Sequence, residues 1–110
     1  MATTEEFISF LYEQINGIGD IKAKKMFGEY LIYINNKPIL LVCDNTVFIK
    51  ILPEIKNLMD RATTGYPYLG AKEHYILDVE DTALTFDVIN VLLEIIPFPK
   101  PRKKKAKKSE

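Results

Sequence analysis

From Thr4 to Asn16 apolar residues recur at helical spacing, with Phe7, Ile8, Leu11 and Ile15 on one stripe and Glu5, Glu6, Glu13 and Gln14 away from it. Thr3 followed by Glu6 has the spacing of a capping box, in which the hydroxyl oxygen and the carboxylate satisfy unpaired amide hydrogens at a helix start. A first helix is therefore predicted over 4–16, stopped by Gly17 and Gly19. From residue 21 the period drops to two. Tyr30, Ile32 and Ile34 face one side of a sheet, and Leu31 and Tyr33 face the other. Asn35-Asn36 and Asp44-Asn45 separate the apolar runs, and asparagine and aspartate are the non-glycine residues that best tolerate the positive φ of tight hairpin turns. This predicts an antiparallel meander with strands near 30–34, 38–43 and 46–51, preceded by a shorter strand around 22–27.

Pro53 suits the first turn of a second helix, where its missing amide hydrogen costs nothing, and Ile55, Leu58, Met59 and Ala62 give that helix an apolar side up to about Thr63. Thr63 to Glu73, with Gly65, Pro67 and Gly70, reads as a long loop. His74 to Asp78 reads as one more strand. From Asp81 to Ile96 the period is helical again, with a polar side reduced mainly to Asp87, Asn90 and Glu94. Such a helix is either central in its own domain or partly covered by a second chain, so a homodimer through residues 84–96 is one open expectation. Pro97, Pro99 and Pro101 end the pattern, and no apolar residue larger than alanine anchors the lysine run beyond. The expected organisation is a single α+β domain over 1–96, two-layered, with a disordered basic tail over 97–110.

Charge sharpens that division. The net charge of zero over 110 residues conceals seven basic side chains in 97–110, and residues 1–96 hold eight basic against fourteen acidic ones, a net −6. Polyanions are then expected to meet the tail rather than the body. The single cysteine, Cys43, excludes an internal disulfide and suits a reducing compartment. With no signal-peptide pattern and no run of eighteen apolar residues, the expectation is a cytoplasmic protein without a membrane partner.

Candidate chemistry is sparse. His74 is the only histidine and has no nucleophile or orienting partner indicated by the sequence, so it is expected as a strand residue. Cys43 ends an apolar strand, where cysteine acts as a small hydrophobe. The five glycines form neither a Walker loop nor a dinucleotide fingerprint. No catalytic residue, metal site or cofactor is expected. The Lys22-Ala23-Lys24-Lys25-Met26-Phe27-Gly28 segment reads either as a strand with solvated lysines or as a basic and aromatic surface. Lys100, Arg102, Lys103, Lys104, Lys105, Lys107 and Lys108 are the candidates for weak, nonspecific nucleic-acid binding through phosphates, alone or with Lys22, Lys24 and Lys25. A small-ligand site between the sheet and the Tyr66–Lys72 loop is a further alternative.

Lys25-Met26-Phe27-Gly28-Glu29-Tyr30, Leu31-Ile32-Tyr33, Lys37-Pro38, Leu41-Val42-Cys43-Asp44 and Val47-Phe48-Ile49-Lys50, followed by Tyr66-Pro67 and Gly70-Ala71-Lys72, resemble the N-terminal domain of the TfoX/Sxy competence-regulator family over about residues 4–96. The resemblance implies an α-β-β-β-β-α-β-α order with an antiparallel sheet, similar to secretion-chaperone-like folds. It also implies a noncatalytic regulatory module working through a protein partner that the sequence does not identify. Full-length members carry a second, helical domain, which this chain is expected to replace with its lysine tail. The motif positions nominate Lys25, Met26, Phe27, Gly28, Tyr66, Gly70 and Lys72 as a functional surface.

Overall fold

The computed structural model describes residues 3–26 and 29–99. Its first helix, α1 (Glu5–Gln14), is capped one residue later than the capping-box spacing suggests: the Thr4 hydroxyl oxygen accepts the Phe7 amide at 3.1 Å. Thr3 is released for a tertiary role. Buried at 7% exposure, it donates to Glu29 Oε1 at 2.7 Å and accepts from the Asn45 amide at 3.3 Å. Thr4 in turn donates its amide to Asn45 Oδ1 at 2.9 Å, which ties the helix start to a hairpin tip.

Strands β1 (Ile21–Met26), β2 (Glu29–Ile34), β3 (Lys37–Cys43) and β4 (Thr46–Lys50) form the expected meander. Both tight turns have two left-handed central residues, with φ of 53° and 69° at Asn35 and Asn36 and 53° and 56° at Asp44 and Asn45. That backbone matches the right-handed twist of the strands it joins. Between β2 and β3 the register shifts after Ile32, leaving Ile39 as an extra residue that is nonetheless buried. Two short strands, β5 (Thr64–Gly65) and β6 (His74–Ile76), complete a six-stranded antiparallel sheet in the order β1-β2-β3-β4-β6-β5. The two-residue β5 lies inside the stretch expected to be loop.

The second helix is not an α-helix. Pro53–Ile55 forms a 3-10 turn, and the chain then continues through turns to Arg61. Its hydrogen bonds mix spacings, from the Lys56 amide to Pro53 O, the Met59 amide to Ile55 O and the Ala62 amide to Met59 O. Leu52 offers no capping side chain, and Asn57 and Asp60 have short polar groups that favour turns over helix interior. The expected apolar side survives, because Ile55 and Met59 are buried.

Helix α2 (Thr82–Ile95) starts at Asp81, whose Oδ1 accepts the Leu84 amide at 3.1 Å. Thr85, Val88, Ile89 and Leu92 are buried and its other large apolar residues are partly covered, while Asp87, Asn90 and Glu94 are exposed. Much of its apolar surface packs within the chain, against the core, while Phe86 stays partly exposed outside that cluster. At its far end Lys37 donates to Leu93 O at 2.6 Å, placing a cation where unpaired carbonyls accumulate, and the Phe98 ring lies 4.9 Å from the same ammonium. Leu11 and Ile15 from the first helical segment, the α2 residues, and Tyr30, Ile32, Ile34, Leu40, Val42, Val47 and Ile49 from the sheet form one core. Both helices therefore serve the same face of the sheet. Among the described residues no helix is long and apolar enough to cross a membrane.

Candidate functional site

The nominated surface residues do not converge. Lys25 and Met26 end β1 at one edge of the sheet, whereas Tyr66, Gly70 and Lys72 lie in the β5–β6 connection at the other edge. Five strand spacings separate those edges, about 24 Å. Phe27 and Gly28 fall outside the described residues, as do the tail positions Lys100, Arg102, Lys103, Lys104, Lys105, Lys107 and Lys108. In the loop, Tyr66 and Tyr68 are exposed at 64% and 61%, so they are neither core nor the wall of an enclosed site. Gly70, at φ +89°, serves a turn in which the Ala71 amide donates to Tyr68 O at 3.0 Å. The basic segment is also divided. Lys22 and Lys24 stand opposite Tyr33 and Leu31, while Lys25 pairs with Tyr30 and belongs to the other face.

The register assembles something the individual motifs do not show. Lys24 opposes Leu31, Leu31 opposes Leu41, Leu41 opposes Phe48, and Phe48 opposes Ile76. Because strand neighbours at one level share a face, these five side chains form a continuous row across five strands on the side away from the helices. None of its four apolar members joins the core packed by α1 and α2. Leu31, Leu41 and Ile76 are partly exposed. Phe48 is buried to 6% by its lateral neighbours, including the edge of the His74 ring at a centroid distance of 6.4 Å. Gly65 contributes by lacking a side chain, since a Cβ there would come within 3.2 Å of Ile76 and 3.5 Å of the Phe48 ring.

The row has a positive margin. Lys24 ends it on β1 with Lys22 beside it, the Lys22 ammonium 3.9 Å from Asp20 Oδ2, and Lys50 and His74 sit opposite each other on β4 and β6. Glu29 shares the face but turns to its end, where Oε1 accepts from Thr3 and from the Asp44 amide at 3.0 Å. His74 Nδ1 is 2.7 Å from Lys72 O, so one ring nitrogen is held by the backbone. Cys43, 3% exposed, has its thiol pushed up from 9.0 to about 11, first by burial and then by the nearby negative charges of Glu29 and Asp44. A thiol held protonated is a poor nucleophile and a poor metal ligand.

An open cleft of about 600 Å³ is walled by Phe7, Phe10, Leu58 and Met59 with Asp78 and Glu80 at its rim, and it reaches Ile76 at the end of the row. No residue of the Tyr66–Lys72 loop lines it. This cleft is therefore not the expected ligand site under that loop; helix α1, the Leu58–Thr63 turns and the Ile76–Asp81 segment form it.

The TfoX N-terminal domain model matches residues 13–84, from the end of α1 through all six strands into α2. The chain belongs to that family. An uncharacterized 12.7 kDa protein in the trpE 5′ region of Spirochaeta aurantia is 32% identical over 109 residues, spanning 97% of this chain and 95% of that protein. In this TfoX N-terminal domain the whole cross-strand row falls inside the matched segment. Sequence reasoning missed the row because it treated each strand separately. The available signal was the apolar character of the second phase, in which Leu31, Leu41, Phe48 and Ile76 occupy positions that a sheet exposed on one side would fill with polar residues.

Proposed function

We propose that this TfoX N-terminal domain is a noncatalytic regulatory module that works by docking a protein segment on the helix-free face of its sheet. The observation that carries the reading is the row from Leu31 through Leu41 and Phe48 to Ile76, an apolar band outside the core of the fold. Partly exposed apolar side chains around a buried aromatic one, bounded by polar residues, have the core-and-rim layout of an interaction site. Family membership supports a role of the competence-regulator kind. A cytoplasmic setting belongs to the same proposal.

A photo-crosslinking amino acid placed at position 41, or at 31, in the native cell tests it against the same group at Glu6 on α1. Discrete protein adducts are expected from the sheet positions and not from the helix. Adduct patterns identical at all three positions would refute the proposal.

A further inference from the structure

We infer that the segment received by this face is an acidic amphipathic peptide, an inference that rests on the docking role just proposed. Residues 1–96 carry a net charge of −6, yet this face presents Lys22, Lys24 and Lys50 with His74; of the carboxylates beside it, Glu29 is engaged by Thr3 and the Asp44 amide, and Asp20 lies 3.9 Å from the Lys22 ammonium, which leaves Lys24 and Lys50 for a partner. Three of the eight basic side chains of residues 1–96 thus stand around the partly exposed apolar band. Apolar side chains of a partner can fill the level of Leu31, Leu41 and Ile76, while carboxylates along its flanks reach the lysines at either end.

Other occupants fit less well. A second copy packed face to face would set Lys24 and Lys50 of one sheet against the same lysines of the other, with Glu29 engaged and Asp20 already beside Lys22, a like-charge arrangement that disfavours association. The basic tail has the wrong sign. Single-stranded nucleic acid is read on sheets by exposed aromatic side chains on which bases stack. Here, among the described residues of the face, Phe48 is 6% exposed and Tyr33, opposite Lys22, is only partly exposed, so neither strand ring stands free for a base to stack on.

The test uses the full chain labelled with nitrogen-15 and three probes: a leucine-patterned helical peptide with glutamates on its flanks, the same peptide with lysines instead, and an oligothymidylate. Resonance shifts are expected at Leu31, Leu41, Phe48 and Ile76 with the glutamate peptide, and binding at least about tenfold weaker in Lys24→Glu combined with Lys50→Glu. Equal binding of the lysine peptide at this row would overturn the acidic preference while leaving the docking role standing. Row shifts with the oligothymidylate but not with the glutamate peptide would overturn both in favour of nucleic acid. No row shifts with any probe would overturn both as well, and shifts that appear on raising protein concentration alone would assign the face to a second copy.

Discussion

Leu40 and Leu41 are the same side chain at adjacent positions of β3, pointing to opposite faces of one sheet, and truncating each to alanine measures what covers each face. Leu40 is 0% exposed, opposite Ile32 and within the core shared by both helices, whereas Leu41 is partly exposed between Leu31 and Phe48. Leu40→Ala removes fully buried carbons and leaves a cavity that two helices and a sheet cannot collapse, a loss of about 3 kcal/mol within the usual range for buried leucine. Leu41→Ala opens no closed cavity, since its outer side already meets solvent, and costs about 1 kcal/mol. Urea denaturation followed by circular dichroism separates them. With a slope of about 1.5 kcal/mol per molar for a domain of this size, the midpoints fall by about 2 M and about 0.7 M. Equal losses would refute the two-sided description of the sheet. If a loss at Leu41 as large as that at Leu40 also depended on protein concentration, a second copy would be the covering element.

Thr4→Ala should cost about 1 kcal/mol through the lost helix cap, and Thr3→Val about 1 kcal/mol through the bonds to Glu29 and Asn45. Glu6→Ala should cost much less than either, and a dominant effect at Glu6 in the same urea assay would restore the capping box. Asn36→Val places a β-branched residue at φ +69° and should destabilise by about 1–2 kcal/mol, whereas Asn36→Gly should be neutral or stabilising by thermal melts. Cys43 should resist a thiol-titrating reagent at pH 8 until the chain is unfolded. Its pKa is higher folded than unfolded, so stability unaffected by this group below about pH 9 should decline as the pH rises toward about 11, and Cys43→Ser should remove that part of the alkaline loss measured by urea titration at successive pH values.

What was legible in the sequence follows from which interactions are local. The period-two pattern, the two asparagine-containing turns and the wide apolar circumference of residues 82–95 all report backbone preferences or burial within a few residues, and each element forms at nearly its expected place. The Pro53–Thr63 segment has the right apolar side in a different backbone, because its spacing fits both a helix and a string of tight turns and only weak propensities at Asn57 and Asp60 decide between them. Thr3 lost its cap role to contacts with Glu29 and Asn45, 26 and 42 residues away in sequence. The site was least legible for the same reason. Motif positions adjacent in sequence, such as Lys24 and Lys25, separate onto two faces, while residues from five strands meet in one row through register alone.

Composition points the wrong way for that row, and the discrepancy has a physical resolution. A body charge of −6 suggests that acidic partners are repelled, yet at physiological ionic strength the screening length is about 8 Å, shorter than the roughly 24 Å breadth of the sheet. Glu5, Glu6 and Glu13 lie on α1, behind the sheet as seen from a docking partner. An approaching segment therefore responds mainly to Lys24 and Lys50, with Lys22 partly offset by Asp20, and only weakly to the protein's net charge. Glu6→Lys with Glu13→Lys, which raises the net charge by four, should change affinity for the glutamate peptide by no more than about twofold. Lys24→Glu alone, which subtracts two, should weaken it several-fold at low salt and less at high salt. Affinities that tracked net charge irrespective of position would show that binding is diffuse attraction to the whole molecule, and the sheet face would lose its claim to be a site.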